Sequence, residues 1–196
     1  MEKTKILAIG FFVLSVGLAA FLGKSIYTSI TEADRIEAQE NVIINKLKMI
    51  RKAQIGYQAV NGQYTSDWSK LKNFVDSGQF YLTSRIEHIK TLAYGADSVY
   101  IEIDTLGTIL VKDSLFSADK YPDFDVATLS LVPGNSGKEF AMWADEIEKS
   151  NAMVDVLEVW NTAPVNPKRK EKNESRTKKP LRFGSRTNIT TTGNWE

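Results

Sequence analysis

Apolar and polar positions divide this chain into stretches of different period. Residues 6–23, ILAIGFFVLSVGLAAFLG, are eighteen in a row with one hydroxyl and no charge. As a helix rising about 1.5 Å per residue they extend about 27 Å, close to the roughly 30 Å of a bilayer's hydrocarbon core. Lys24 ends the run, and the pattern turns amphipathic without losing its helical character. Ile36, Ile43, Ile50 and Tyr57 recur every seven residues, with Leu47 in the neighbouring row. That is one apolar stripe along a helix of about thirty residues. Its plain reading is packing on the chain's own domain; a coiled-coil seam is the alternative, interrupted at Glu40 and Gln54. Ser29 or Thr31 is placed to cap this second helical segment, with Glu32 and Asp34 in its first turn.

Asn61-Gly62 ends the helix, because both residue types tolerate a left-handed backbone. Ser66 then caps a short helix that carries Trp68, Leu71, Phe74 and Val75 on one side and stops at Gly78. Residues 79–93 read as extended, with a helical tendency at 86–89. From Ser98 the period becomes two. Val99, Ile101 and Ile103 alternate with polar neighbours, Thr105-Leu106-Gly107 is read as a turn, and 108–112 return as the second strand of a hairpin. Residues 129–132 are expected to add a short strand. A second hairpin is expected from 139–148 and 153–161, with Ser150-Asn151 near its tip. The stripe of the long helix would lie across this sheet, with Phe140, Trp143, Leu157 and Trp160 supplying the sheet's side of the core.

The expected fold is therefore α+β: a long amino-terminal transmembrane and amphipathic helix packed on a small antiparallel sheet, followed by a disordered basic tail. Five segments result: a short start at 1–5, a span at 6–23, an amphipathic stalk at 24–62, an α+β domain at 63–164 and a tail at 165–196. A cleaved signal peptide is the alternative for the apolar run, with Gly17, Ala19 and Ala20 as its cleavage region. The length of the run and the helix that continues out of it favour a retained anchor. Lys3 and Lys5 before the run are nearly balanced by Lys24 after it. A single-pass arrangement with the amino terminus inside and the domain on the outer, periplasmic side is expected.

Charge adds one feature. The net charge is +1. Between residues 166 and 196, however, nine basic residues (Lys168, Arg169, Lys170, Lys172, Arg176, Lys178, Lys179, Arg182 and Arg186) stand against three Glu. This leaves a basic tail of +6 behind a body of about −5. Such a cluster suits an anionic partner, whether nucleic acid, lipid headgroup or acidic glycan. The chain has no cysteine, which excludes disulfides, zinc–thiolate sites and cysteine nucleophiles.

The apolar opening helix and the segment RKAQIGYQAVNGQYTSDWSKLKNFVDSG together resemble the type IV pilins and type II secretion pseudopilins. The matching positions are Arg51, Ala53, Gln54 and Tyr57 at the helix end, then Asn61, Gly62 and Tyr64 in the turn, then Leu71, Phe74, Val75 and Gly78. The resemblance spans residues 6–115. It implies a non-enzymatic, membrane-anchored subunit of an envelope or secretion machine that meets other envelope proteins and associates with itself through its amino-terminal helix. Two features depart from the family pattern, one of them a leader that is partly apolar at Ile6 to Ile9. With Gly10-Phe11 as the leader junction, the fifth mature position holds Ser15 instead of the usual Glu. Gly10, Gly17 and Gly23 are the small residues at which such helices would approach one another.

No constellation argues for an enzyme. His88 is the only histidine, in RIEHIK, and no Gly-x-Ser-x-Gly elbow presents a nucleophile to it. PGNSGK at 133–138 has two residues between its glycines where a P-loop needs four, so it is a turn. Asp119, Asp123 and Asp125 lack the glycine and closing Glu of a calcium loop. No cofactor or metal is expected. The alternative function is an anchored scaffold that binds nucleic acid or anionic lipid through the basic tail.

Overall fold

The structure is a computed structural model. It describes residues 2–92, 95, 97–135, 137–166 and 180–196, without the side chains of 2–6 and 9. It is α+β: one long helix, two short ones and two separate antiparallel sheets of two and three strands. Helix α1 runs unbroken from Glu2 to Asn61, 60 residues. The expected fresh cap near residue 30 does not form. Ser29 and Thr31 instead donate to the carbonyls of Ser25 and Tyr27 one turn back, which keeps their hydroxyls inside a continuous helix. Gly62, at φ 81°, ends α1, and its amide donates to the Gln58 carbonyl at 2.8 Å. This is the left-handed exit expected of Asn-Gly.

The stripe on α1 is the spine of the core. Ile43, Leu47, Ile50 and Ala53 are buried, and Ile36 and Tyr57 are half-buried at its two ends. Helix α2 (Trp68–Ser77) sets Leu71 and Val75 against them. Its cap is Asp67, not Ser66: the carboxylate accepts from the amides of Ser69 and Lys70. A negative charge there also complements the positive end of the helix.

Strands β1 (Gln79–Thr91) and β2 (Asp97–Leu110) pair antiparallel into one long ribbon. This corrects the first hairpin. Residues 105–107 do not turn; they form a bulge at Leu82/Thr83 inside a single strand. Residues 86–89 are extended, not helical. Val111–Leu115 is helix α3, whose Val111 is buried. In place of a strand at 129–132 there is a 3-10 turn at Val126–Thr128, capped by Asp125, followed by a lone bridge from Leu131 to Glu139.

The second hairpin is as expected. Strands β3 (Ala141–Lys149) and β4 (Ala152–Trp160) pair around Ser150 and Asn151, both at positive φ. That is the two-residue turn whose twist matches antiparallel strands. A third strand joins them: β5 (Arg182–Gly184) pairs with the end of β4. Residues 180–196 are thus folded, which corrects the expectation of a disordered tail over that part. Leu181 and Phe183 are buried in the core, and Asn161 donates its amide to the Leu181 carbonyl. Burying two large side chains and a row of backbone hydrogen bonds offsets the ordering cost that a purely polar tail does not meet.

The sheet's inner face presents Leu157, Val159 and Phe183 to α1 and α2, joined by Phe140 just before β3. Trp143 and Trp160 are not on that face. They alternate onto the outer side with Glu158 and are half-buried.

Candidate functional site

The most distinctive feature of the molecule is the division of α1. From residue 36 onward the helix carries the core. From Leu7 to Arg35 every described side chain is exposed. Phe11 is 67% exposed, Phe12 69%, Val13 64% and Leu14 58%, and four consecutive positions point in four directions, so the apolar surface runs all round the helix. A helix apolar on every side is a solution for lipid or for the middle of a larger core. Among the described residues nothing covers it. Length and composition make it the one candidate membrane span among the described residues. Among the described residues, an added side-chain carbon at Gly10, Gly17 or Gly23 meets nothing within 4 Å, so these glycines pack on no described element. Eleven residues separate Lys24 from Ile36, a bare helical stretch of about 18 Å.

The resemblance positions gather at the other end of α1. Gln54 is fully buried; its amide donates to the Thr65 carbonyl at 2.7 Å and its oxygen accepts from the Thr65 amide. It thereby ties the helix to the chain that returns past Gly62. Trp68 donates from Nε1 to the Phe140 carbonyl, which fastens α2 to the sheet. Tyr57 meets Phe74 edge-on at 5.2 Å, and Phe74 meets Phe80 at 6.1 Å. Tyr64 lies half-buried beside them, its hydroxyl pKa raised by burial and then by the charge of Asp155. Arg51 points the opposite way, donating to the Thr191 carbonyl and to Glu196 at 2.8 Å. Hydrogen bonding to Arg51 holds the Glu196 carboxyl below its usual range.

Seven of the nine tail cations, 168–170, 172, 176, 178 and 179, lie outside the described residues. The other two serve the fold. Arg182 and Arg186 both donate to the Glu158 carboxylate, at 2.6 and 2.7 Å, and the Arg186 guanidinium sits 5.3 Å from the Trp143 ring and 5.0 Å from the Trp160 ring. This cation–aromatic clasp covers the outer face of the three-stranded sheet. Sequence reading missed it, since the two arginines lie more than twenty residues beyond the Trp143, Glu158 and Trp160 they join and the five form no local pattern.

No family model, curated protein or solved structure matches the chain. The residues themselves then have to speak for chemistry. His88 stacks on Tyr100 at 4.6 Å with Nε2 2.8 Å from Glu102, on the exposed ribbon. Gly134 and Gly137 both take positive φ in the turn at 133–138, and the Val132 amide donates to the Lys138 carbonyl. Asp125 is committed to the Ala127 amide. Among the described residues no three His, Cys, Asp or Glu side chains converge as a metal site would require. An open groove of about 440 Å³ lies between Tyr57, Tyr64, Asp67, Lys70 and Asp155, acidic and without a nucleophile–base pair.

Proposed function

We propose that this protein is a single-pass, membrane-anchored, non-enzymatic subunit of pilin-like or pseudopilin-like type, serving the assembly of a cell-envelope machine. The observation that carries the reading is the split in α1: one rigid helix is bare and apolar over its first half and forms the domain's core over its second. A helix of this kind transmits position from the bilayer to the domain, because it contains no hinge between them. The positions resembling pilins and pseudopilins support the same reading, since they lock the helix end, the Asn-Gly turn and α2 into one unit. The domain then stands on the outer side of the membrane, where it meets partner subunits.

Topology tests this. The chain has no cysteine, so one placed at the exposed Ser114 reports its side of the membrane. Labelling by a membrane-impermeant reagent in intact cells or spheroplasts, with retention in the membrane after alkaline carbonate washing, is the expected result. Label only after lysis would overturn the envelope reading and turn attention to a scaffold that binds nucleic acid or anionic lipid through the basic run. Release by carbonate would overturn the anchor.

A further inference from the structure

The β1–β2 ribbon is not part of the core. No residue of either strand is buried, and only its base, at Phe80 and Ile109, leans on the body of the domain. Beyond the bulge, residues 83–91 extend about 30 Å at roughly 3.4 Å per residue. A two-stranded ribbon standing alone in water is marginally stable. This one nevertheless carries exposed aliphatic side chains along its length.

The pairing register sorts them. Arg85 lies opposite Ile103, Glu87 opposite Ile101, and Ile89 opposite Val99, with all six on one face. Ile103 is 68% exposed, Ile89 66%, Val99 54% and Ile101 46%. Arg85 and Glu87 sit side by side in the other column, ion-paired at 3.0 Å and more than half exposed. The opposite face is more polar: it holds the His88–Tyr100 stack with Glu102 and Asp104, and Ile86 is its one aliphatic residue between 84 and 90.

We infer that this face of the ribbon docks against the same face of a second copy of the chain, antiparallel and about a two-fold axis between the 85/103 and 87/101 pairs. The charges select this occupant. In that register Arg85 of each copy faces Glu87 of the other, and Ile101 of each faces Ile103 of the other, so a single sequence supplies both halves. Val99 and Ile89 then close the apolar patch at either end, over Thr105 and Thr83. A face about 30 Å by 10 Å is small for a specific interface. The contact is accordingly weak between free copies, and stronger wherever another attachment holds them close. It needs no membrane, so it stands or falls separately from the anchor.

Charge exchange in the full-length chain, held in detergent micelles, tests it. R85E gives a face with two acidic residues and E87R a face with two basic ones. All four positions in the 85/87/101/103 patch are exposed, so melting temperature and circular dichroism should match the parent. Each variant alone should self-associate about tenfold more weakly than the parent in sedimentation equilibrium. An equimolar mixture of R85E and E87R should recover parental association. A mixture of I101C and I103C chains should form the mixed disulfide in preference to either homodisulfide. Parental association that survives R85E, E87R and the I101K/I103K pair, yet is lost in G17L, would place self-association in the apolar helix and overturn the arm contact. Absence of recovery on mixing, with no mixed disulfide, would also overturn it.

Discussion

At the scale of single residues, the fold depends on a few polar groups in apolar places. Gln54 is the clearest. It is fully buried, and both of its hydrogen-bonding ends are spent on the backbone of Thr65, itself nearly buried. In Gln54→Ala the Thr65 amide and carbonyl lose their partners while staying out of water. The expected cost is about 2–4 kcal/mol, since each buried group left unpaired costs about 1–3. Denaturant titration should show the loss as a lower midpoint with an unchanged slope. Arg51 and Glu196 are a milder case. The folded Glu196 carboxyl is depressed, so its contribution is present above the unfolded value near 4.5 and is lost as pH falls through the folded value. Its carboxylate is 37% exposed, and screening keeps the gain below about 1 kcal/mol. The parent should therefore exceed Glu196→Gln in stability at pH 7, and the gap should close as pH falls below 4.5. A gap independent of pH would show that the ion pair is not its source.

At the scale of elements, what was legible in the sequence followed from short-range periodicity. The seven-residue recurrence of Ile36, Ile43 and Ile50 reports one face of α1, and the β-branched Val154, Val156 and Val159 following a turn signal report β4. Ser150-Asn151 marks its turn because those residues accept positive φ. The ribbon was obscured because Ile86 and Ile89, three apart, imitate a helical stripe, while Gly107 imitates a turn and is in fact part of a bulge. β5 was hidden for another reason. Leu181 and Phe183 are two apolar residues in a polar run, and what orders them is β4 and α1, far away in sequence. That dependence can be tested at Gly184, which takes φ 81° with the Leu157 carbonyl oxygen only 1.9 Å from where an added Cβ would lie. Gly184→Ala combines a disfavoured dihedral with a backbone clash and should cost about 2–4 kcal/mol. β5 should be released first, detected as faster tryptic cleavage after Arg182 and Arg186 once the Glu158 clasp opens. Global unfolding with no such early cleavage would show that β5 is inseparable from the core.

At the scale of the whole molecule, one helix carries both a candidate membrane span and the spine of the domain. Everything that holds the domain together begins at residue 36, and everything fit for lipid ends near Lys24, with Tyr27 and Ile30 exposed on the stretch between. Distant sites without shared partners contribute independently. Two lysines replacing Leu14 and Leu18 should therefore separate the two properties. A charged residue at the centre of a span costs about 2.5–3.5 kcal/mol on insertion scales, so a pair abolishes stable insertion. The variant should move from the membrane to the soluble fraction. Neither leucine touches the domain, so thermal unfolding of the purified variant should stay within about 0.5 kcal/mol of the parent. If the domain instead loses stability with its span, the apolar half of α1 packs on it after all, and the helix is a core element of a larger assembly, not an anchor. Retention in the membrane after the double substitution would place the attachment elsewhere, with the exposed ribbon and the basic run as the next elements to alter.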